Sequence, residues 1–167
     1  LYAYCSSNPV MYEDPRGYAC EPKEGAENSK SGSNTKTRLP RSNGHWSGEE
    51  GNSLWNSELE AVNKITGGEG IPFINGRPDF SKWSKGTITF KKGVLKGTKS
   101  DFNKVYEKVK IKYKLSSNEQ ARQLLSNMRW TPHHLSDKKI ILVPTDLHGN
   151  IPHIGSASDM RSMLGGK

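Results

Sequence analysis

The fold is decided by the stretch from Trp130 to Arg161, which opens Trp130-Thr131-Pro132-His133-His134. After a polar link it continues Ile140-Ile141-Leu142-Val143-Pro144 and then Thr145-Asp146-Leu147-His148-Gly149-Asn150-Ile151-Pro152-His153. The chain has five histidines, and four of them lie in these few residues. A metal site needs several neutral imidazoles directed at one point, and hydrolysis needs one further group that can accept a proton. The cluster therefore predicts an active site.

The adjacent pair His133-His134 can supply both kinds of group. Neighbouring side chains on a strand point to opposite sides, so one imidazole can hold a metal while the other faces a substrate. A single histidine is more often an ordinary surface or core residue. Four histidines in this broken spacing favour a functional site instead.

The order of these residues resembles the HNH/endonuclease VII superfamily, and within it the toxin nucleases named for a Trp-His-His motif. Those proteins carry a ββα-metal finger, in which two short strands present the histidine pair and a helix returns further ligands. The resemblance extends upstream to about His45, through Glu50-Gly51-Asn52-Ser53 and the segment from Asn75 to Phe80. It implies an α+β fold, with an HNH-like ββα-metal finger flanked by helices and short strands.

The same resemblance implies a role for each histidine. His133, on the first strand, and His148, at the start of the helix, would be metal ligands, and His153 would be the third. His134 would be the general base. The cofactor would be one divalent metal ion, either Zn, Mg, Mn or Ni, because imidazole sites accept metals according to availability. Gly149 and Pro152 predict a very short or broken helix between the last two ligands.

A second resemblance concerns the start of the chain. Leu1-Tyr2-Ala3-Tyr4, Asn8-Pro9-Val10 and Asp14-Pro15-Arg16-Gly17 resemble the end of the core repeat in rearrangement-hotspot (Rhs) polymorphic toxins, whose core is a large β-cage followed by a variable toxin. We therefore divide the chain into the end of an Rhs core repeat (residues 1–20), a flexible linker (21–44) and an HNH-type nuclease toxin domain (45–167). On this division, removal of residues 1–43 should preserve full activity.

The linker is predicted from composition, because a stretch rich in Ser, Gly, Asn, Lys and Glu cannot bury enough apolar surface to fold. Cys5 and Cys20 both precede it. Whether they pair is left open by the sequence, and neither lies near the histidines. We therefore expect a histidine-based metal site, with or without a carboxylate ligand.

Local signals predict the elements between the linker and the finger. A strand is expected at Thr87–Phe90, where apolar and polar residues alternate. Three helix starts are expected from capping residues, namely Ser57-x-x-Glu60, Ser100 and Ser117-x-x-Gln120.

Charge is distributed unevenly along the chain. The formal net charge is +8, and residues 71–167 hold 18 basic and 7 acidic side chains. Any single lysine is more often just a solvated residue, but a basic region beside a metal site favours a polyanion as substrate. Lys138, Lys139 and Arg161 are the candidate substrate-binding residues. No apolar run approaches the ~20 residues that a membrane-spanning helix needs.

These observations and resemblances together predict a secreted antibacterial toxin, the C-terminal part of a larger protein, that acts in the cytoplasm of a target cell. Its activity would be metal-dependent, largely non-specific hydrolysis of DNA, and its partners would be DNA, an acidic cognate immunity protein and the parent Rhs β-cage. Three alternatives remain open at this stage. They are a ribonuclease of the same fold, a non-enzymatic basic nucleic-acid-binding module, and a structural zinc module in which all four histidines are ligands.

Overall fold

The computed structural model describes residues 12–13, 21–22 and 38–165, and describes side chains over residues 38–162. Two-residue strands β1 (Tyr12–Glu13) and β2 (Glu21–Pro22) pair antiparallel. Both cysteines and the Rhs-like motifs lie outside the described residues. Among the described residues, no helix is both long enough and apolar enough to cross a membrane.

A four-stranded antiparallel sheet begins the folded part of the chain. Its strands follow chain order and are β3 (Gly44–Trp46), β4 (Leu54–Ser57), β5 (Ile71–Ile74) and β6 (Arg77–Pro78), with helix α1 (Glu60–Thr66) between β4 and β5. The tight turn between β5 and β6 is Asn75-Gly76, and both residues have positive φ, of 51° and 74°. Asn-Gly is the pair best suited to that backbone.

A three-stranded antiparallel sheet, a 3₁₀ helix (Ser81–Trp83) and four α-helices form the rest of the described residues. The strands are β7 (Thr87–Thr89), β8 (Trp130–His134) and β9 (Lys139–Pro144), in the spatial order β7-β9-β8. Helices α2 (Ser100–Tyr113) and α3 (Asn118–Asn127) precede β8, while α4 (Thr145–Asn150) and α5 (Ser156–Gly165) follow β9. The succession β8-β9-α4 is a ββα unit, and the whole is an α+β fold, which confirms the predicted fold class.

Strand β9 is buried on both faces. Ile141 and Val143 join a cluster that contains Trp55, Phe80 and Leu147, whereas Ile140 and Leu142 join one that contains Phe90, Val105 and Leu125. Alternate residues of a strand face opposite sides, so a strand between two cores needs apolar residues at every position. This accounts for the unbroken Ile-Ile-Leu-Val run.

The predicted linker ends earlier than residue 44. Leu39 packs against the core cluster of Trp55 and Phe80, and Pro40 is among the fully buried residues. The indole N–H of Trp46 donates to the carbonyl oxygen of Pro40 at 3.2 Å. The folded part therefore includes residues that composition alone placed in a linker.

Of the three predicted helix starts, one is confirmed. Ser117 Oγ accepts from the backbone N–H of Gln120 at the start of α3. The Ser57-x-x-Glu60 prediction is wrong, because Leu59 occupies the cap position and Ser57 Oγ accepts from the Leu59 N–H instead. Ser100 is likewise the first residue of α2 rather than its cap.

Candidate active site

Three histidines converge on one face of the ββα unit. His133, His148 and His153 each offer a ring nitrogen, and these three atoms all lie within 4.8 Å of one another. Nδ1 of His133 is 3.2 Å from Nε2 of His148. The ring centroids are 4.7 to 5.2 Å apart. We call this group the histidine triad.

Each member of the triad comes from a different local structure. His133 lies on β8 directly opposite Ile141 of β9, so it faces the same side of the sheet as Ile141. His148 lies on α4, which has only six residues, as Gly149 and Pro152 predicted. His153 lies in the loop after α4, where its Nδ1 is 2.6 Å from the carbonyl oxygen of Ile151. Nδ1–H therefore donates, and Nε2 is left as the ligand atom.

Phe80 packs against all three histidines of the triad. Its side chain is completely buried, and its ring centroid lies 5.3, 6.1 and 5.2 Å from those of His133, His148 and His153. The contacts with His133 and His153 are edge-to-face. An apolar wall of this kind excludes water from one side of the imidazoles and restricts their rotation.

The surroundings keep the triad neutral. Burial, together with the neighbouring imidazoles, holds the pKa of His133 and that of His148 well below the usual 6.5. The pKa of His153 is lowered to about 4. Burial is the main cause, and the charges of Arg38 and Arg77 act in the same direction, while the hydrogen bond to the Ile151 carbonyl opposes them. Neutral imidazole is the form that binds a metal.

These residues fit a divalent cation. Two nitrogens held by one tetrahedral zinc at ~2.0–2.1 Å would be about 3.3 Å apart, and His133 and His148 already place theirs at 3.2 Å. The hydrogen bond from His153 Nδ1–H to the Ile151 carbonyl fixes the tautomer of His153. Metal-bound histidines commonly donate their second ring N–H to a partner of this kind. The described metal-binding group contains no carboxylate.

His134 lies apart from the triad. It is opposite Ile140 and therefore faces the other side of the sheet, toward α2. Its Nε2 is 3.0 Å from Oδ2 of Asp101, and the Phe102 ring lies 5.2 Å from its own. The pKa of His134 is lowered overall, mainly by burial and also by the charges of Arg161 and Lys104. The Asp101 carboxylate opposes this shift. This position argues against a structural zinc module that uses all four histidines.

The remaining candidate residues lie outside the triad. Lys138 and Lys139 are exposed in and beside the turn that joins β8 to β9. Arg161, on α5, donates from Nη1 to the carbonyl oxygen of Gly97 and is close enough to act on the pKa of His134. The fifth histidine, His45, is exposed on β3 and is not part of the triad.

Sequence reasoning missed four residues of this site: Arg38, Arg77, Phe80 and Asp101. The sequence marks the segment Asn75–Phe80 only by its resemblance to other nucleases, although the segment contains both Arg77 and Phe80. Arg38 was assigned to the linker. Asp101 is 33 residues from His134, and no local pattern connects the two.

Comparison with known proteins bears on this geometry directly. Residues 126–162 match the family model described as a nuclease of the HNH/ENDO VII superfamily with conserved WHH. This segment is therefore similar to the HNH/ENDO VII nucleases, and we call residues 126–162 the HNH/ENDO VII motif. The segment contains Trp130 and the pair His133-His134, with Thr131-Pro132 between the tryptophan and the pair. Neither the comparison with curated proteins nor that with solved structures gave a match.

The HNH/ENDO VII motif coincides with the structural unit that carries the histidines. It begins near the end of α3, includes β8, β9 and α4, and stops within α5. The protein is thus an enzyme, a nuclease that hydrolyses phosphodiester bonds. A purely binding role for the basic surface is inconsistent with this result.

Proposed function

We propose that the protein is a metal-dependent endonuclease that hydrolyses DNA with little sequence preference. The observation that carries the proposal is the division of the four histidines into a converging triad and one imidazole held separately. That division suits metal-assisted hydrolysis with a separate general base, because a ring nitrogen that binds a metal cannot also accept a proton from water.

In this proposal His133, His148 and His153 hold one divalent cation. When bound, the cation would stabilise the charge that develops on the phosphate and on the leaving oxygen. Imidazole donors without a carboxylate favour zinc or nickel over magnesium, which prefers oxygen ligands. The buried and neutral state of the triad supports this role.

His134 would accept the proton of the attacking water. It is 5% exposed and, alone among the four clustered histidines, has a carboxylate partner. Lys138, Lys139 and Arg161 would contact the phosphate backbone on the His134 side. Arg38 and Arg77 provide further positive charge on the triad side, where both act on His153.

The biological role we propose is that of a secreted antibacterial toxin, the C-terminal part of an Rhs-type protein that acts in the target-cell cytoplasm. Support comes from the resemblance of residues 1–20 to the end of an Rhs core repeat. The parent β-cage would then be one partner. A second would be an acidic immunity protein, because a nuclease endangers its producer and the surplus of positive charge over residues 71–167 favours an acidic surface.

The deciding experiment incubates the purified protein with plasmid DNA and with total RNA, with and without a chelator. We expect nicking of DNA that is lost with the chelator and restored by zinc or nickel. A hydrolytic mechanism does not use a 2′-hydroxyl, so selective cleavage of RNA would favour the ribonuclease alternative.

Variants separate the roles within the same assay. His134→Ala should retain bound metal while cleavage falls by roughly 10²–10⁴-fold, the usual contribution of a positioned acid–base group. His133→Ala, His148→Ala and His153→Ala should lose metal and cleavage together. His45→Ala is the matched control and should change neither quantity. Loss of metal from His134→Ala with retention in His133→Ala would mean that the two neighbours have exchanged roles.

The immunity proposal is tested by association kinetics. The cognate inhibitor should be an acidic protein whose association with the nuclease slows as salt rises. An inhibitor that is basic, or that associates at a rate independent of salt, would refute the proposed electrostatic docking.

A further inference from the structure

Asp101 has a buried carboxylate and lies outside the ββα unit. Its side chain is 0% exposed and lies on α2, outside the HNH/ENDO VII motif. It meets His134 across 33 residues of sequence at 3.0 Å. The triad does not use it, because it lies on the opposite side of the sheet from His133.

Its position is fixed by several donors at once. Oδ2 accepts from the backbone N–H groups of Lys96, Gly97 and Thr98 at 2.8, 2.8 and 3.2 Å. Oδ1 accepts from Nζ of Lys104 at 2.7 Å. Burial raises the pKa of Asp101, but these bonds and the one from His134 outweigh it and bring the pKa to about 2. Asp101 is therefore ionised and immobile at neutral pH.

An ionised carboxylate can only accept a hydrogen bond, so the proton between the two side chains belongs to His134 Nε2. The other ring nitrogen, Nδ1, then carries the lone pair. Within residues 38–162, Nδ1 of His134 has no hydrogen-bond partner. The backbone carbonyl of His134 also accepts from Ser156 Oγ at 2.6 Å, which secures the strand at this point.

We propose that Asp101 is a positioning residue that holds His134 with its proton on Nε2, so that Nδ1 is the nitrogen that deprotonates the attacking water. The inference depends on the proposed nuclease function of His134. One water proton moves to Nδ1 while the water oxygen forms a bond to phosphorus. The bond from phosphorus to the leaving oxygen breaks, and that oxygen keeps the electron pair and takes a proton from solvent. Asp101 remains anionic and compensates the charge of the imidazolium.

The first test is a double-mutant cycle measured as kcat on plasmid DNA. Asp101→Asn retains a neutral acceptor for the backbone N–H groups but removes the charge, and we expect kcat to fall by roughly 10²–10⁴-fold with metal affinity unchanged. In the His134→Ala background the same change should cost nothing further, because Asp101 acts only through His134. A purely structural role would lower cleavage in both backgrounds and would overturn the proposal.

The second test reads His134 itself and needs neither metal nor substrate. In the metal-free protein, ¹⁵N NMR of the ring should show a single tautomer protonated at Nε2, and Asp101→Ala should give both tautomers. Lys104→Met is the matched control, since it removes the other side-chain partner of Asp101 and should leave the tautomer unchanged. A ring protonated at Nδ1 in the unaltered protein would overturn the inference.

The two levels of failure are distinguishable. If the unaltered protein cleaves and His134→Ala does not, while Asp101→Asn cleaves normally, only the positioning role is wrong. If His134→Ala cleaves as well as the unaltered protein, the assignment of the base is wrong and this inference is wrong with it.

Discussion

Phe80 brings one apolar ring against three imidazoles that come from separate parts of the chain. Its contacts restrict ring orientation at positions that a strand, a short helix and a loop would otherwise hold independently. A buried aromatic residue of this kind supports metal binding without touching the metal.

Phe80→Leu should lower metal affinity by about 10-fold or more, within the range found when residues that support metal ligands are changed. The control is Phe73→Leu, because Phe73 is buried in the same cluster but makes its edge-to-face contact with Trp46 rather than with the histidines. Both variants should lose stability, and only Phe80→Leu should lose affinity in a metal-competition titration. Equal affinity losses would contradict the role given to Phe80.

The depressed pKa values of the triad predict how stability depends on pH without metal. A histidine held neutral takes up its proton more readily in the unfolded chain, so the free energy of unfolding falls as pH drops below about 6.5. For His153 the loss ends near pH 4 and amounts to about 3 kcal/mol. His153→Asn, which can keep the bond to Ile151, should remove this part of the pH dependence.

The measurement is urea unfolding in the presence of a chelator between pH 4 and 7. His45→Asn controls for the loss of one histidine, because His45 is exposed on β3 and lies outside the triad. The same pH dependence in both variants would contradict the prediction.

Helix α5 is bound to the rest of the molecule by long-range polar contacts. Nε of Arg77 donates to Asp159 at 3.0 Å, in an ion pair in which Nη2 also takes part, and Arg161 donates to the Gly97 carbonyl. Together with the Ser156–His134 bond, these contacts join α5 to β6, to the loop before α2 and to β8.

Asp159→Asn should loosen α5 and lower stability by ~1 kcal/mol or less, because the ion pair is partly exposed. Arg77 lowers the pKa of Asp159. The effect should therefore be complete at neutral pH and disappear as pH falls below about 3.8, where the carboxylate protonates. Hydrogen exchange of α5 amides reports the loosening, with Ser162→Ala on the same helix as control. Unchanged hydrogen exchange of the α5 amides at pH 7 would show that the Arg77–Asp159 ion pair does not stabilise α5.

The start of the folded part gives a prediction at the scale of a segment. A chain that begins at Gly44 lacks Leu39 and Pro40, both packed against the core, and should be less stable by about 2–3 kcal/mol than a chain that begins at Arg38. Urea denaturation of the two shortened chains measures the difference. Equal midpoints would restore the boundary that composition indicated.

Elements with strong local signals could be read from the sequence, whereas contacts between distant segments could not. The Asn75-Gly76 turn and the cap at Ser117 depend on their own residues, and both are present. The approximate strand at Thr87–Phe90 likewise matches β7. Asp101 could not be predicted, because its role depends on the packing of α2 against the sheet rather than on its neighbours in sequence.

The candidate site divides in the same way. The four histidines are close in sequence, so they could be selected as a group, and the alternation of a strand places His133 and His134 on opposite sides. The triad is also lined by residues from outside the ββα unit. Arg77 lies on β6 of the four-stranded sheet, Phe80 follows that strand, and Arg38 precedes β3. No periodicity within residues 38–80 indicates that they would face the ββα unit.

At the scale of the whole molecule, the uneven charge predicts how the protein binds its substrate. With chelator present to prevent cleavage, affinity for DNA should fall linearly in a plot of log affinity against log salt, because bound cations are released from the phosphates. Replacing Lys138 and Lys139 by Gln should reduce the slope by up to about 2. Lys64→Gln is the control and should leave the slope unchanged. Lys64 lies on α1, pairs with Glu60, and is the one basic residue in the stretch 45–70, which holds five acidic residues. A slope near zero would exclude a phosphate-driven interaction.

The burial of β9 on both faces limits how the nuclease can be transferred from one protein to another. The segment that carries the HNH/ENDO VII motif is short, yet its central strand is covered on one face by Trp55 and Phe80 and on the other by Phe90 and Val105. Transplanted alone into another host protein, the segment would lose both coverings, and the carboxylate of Asp101 with them. The smallest unit that evolution or an engineer could exchange intact therefore begins near Arg38, well before the first histidine of the triad.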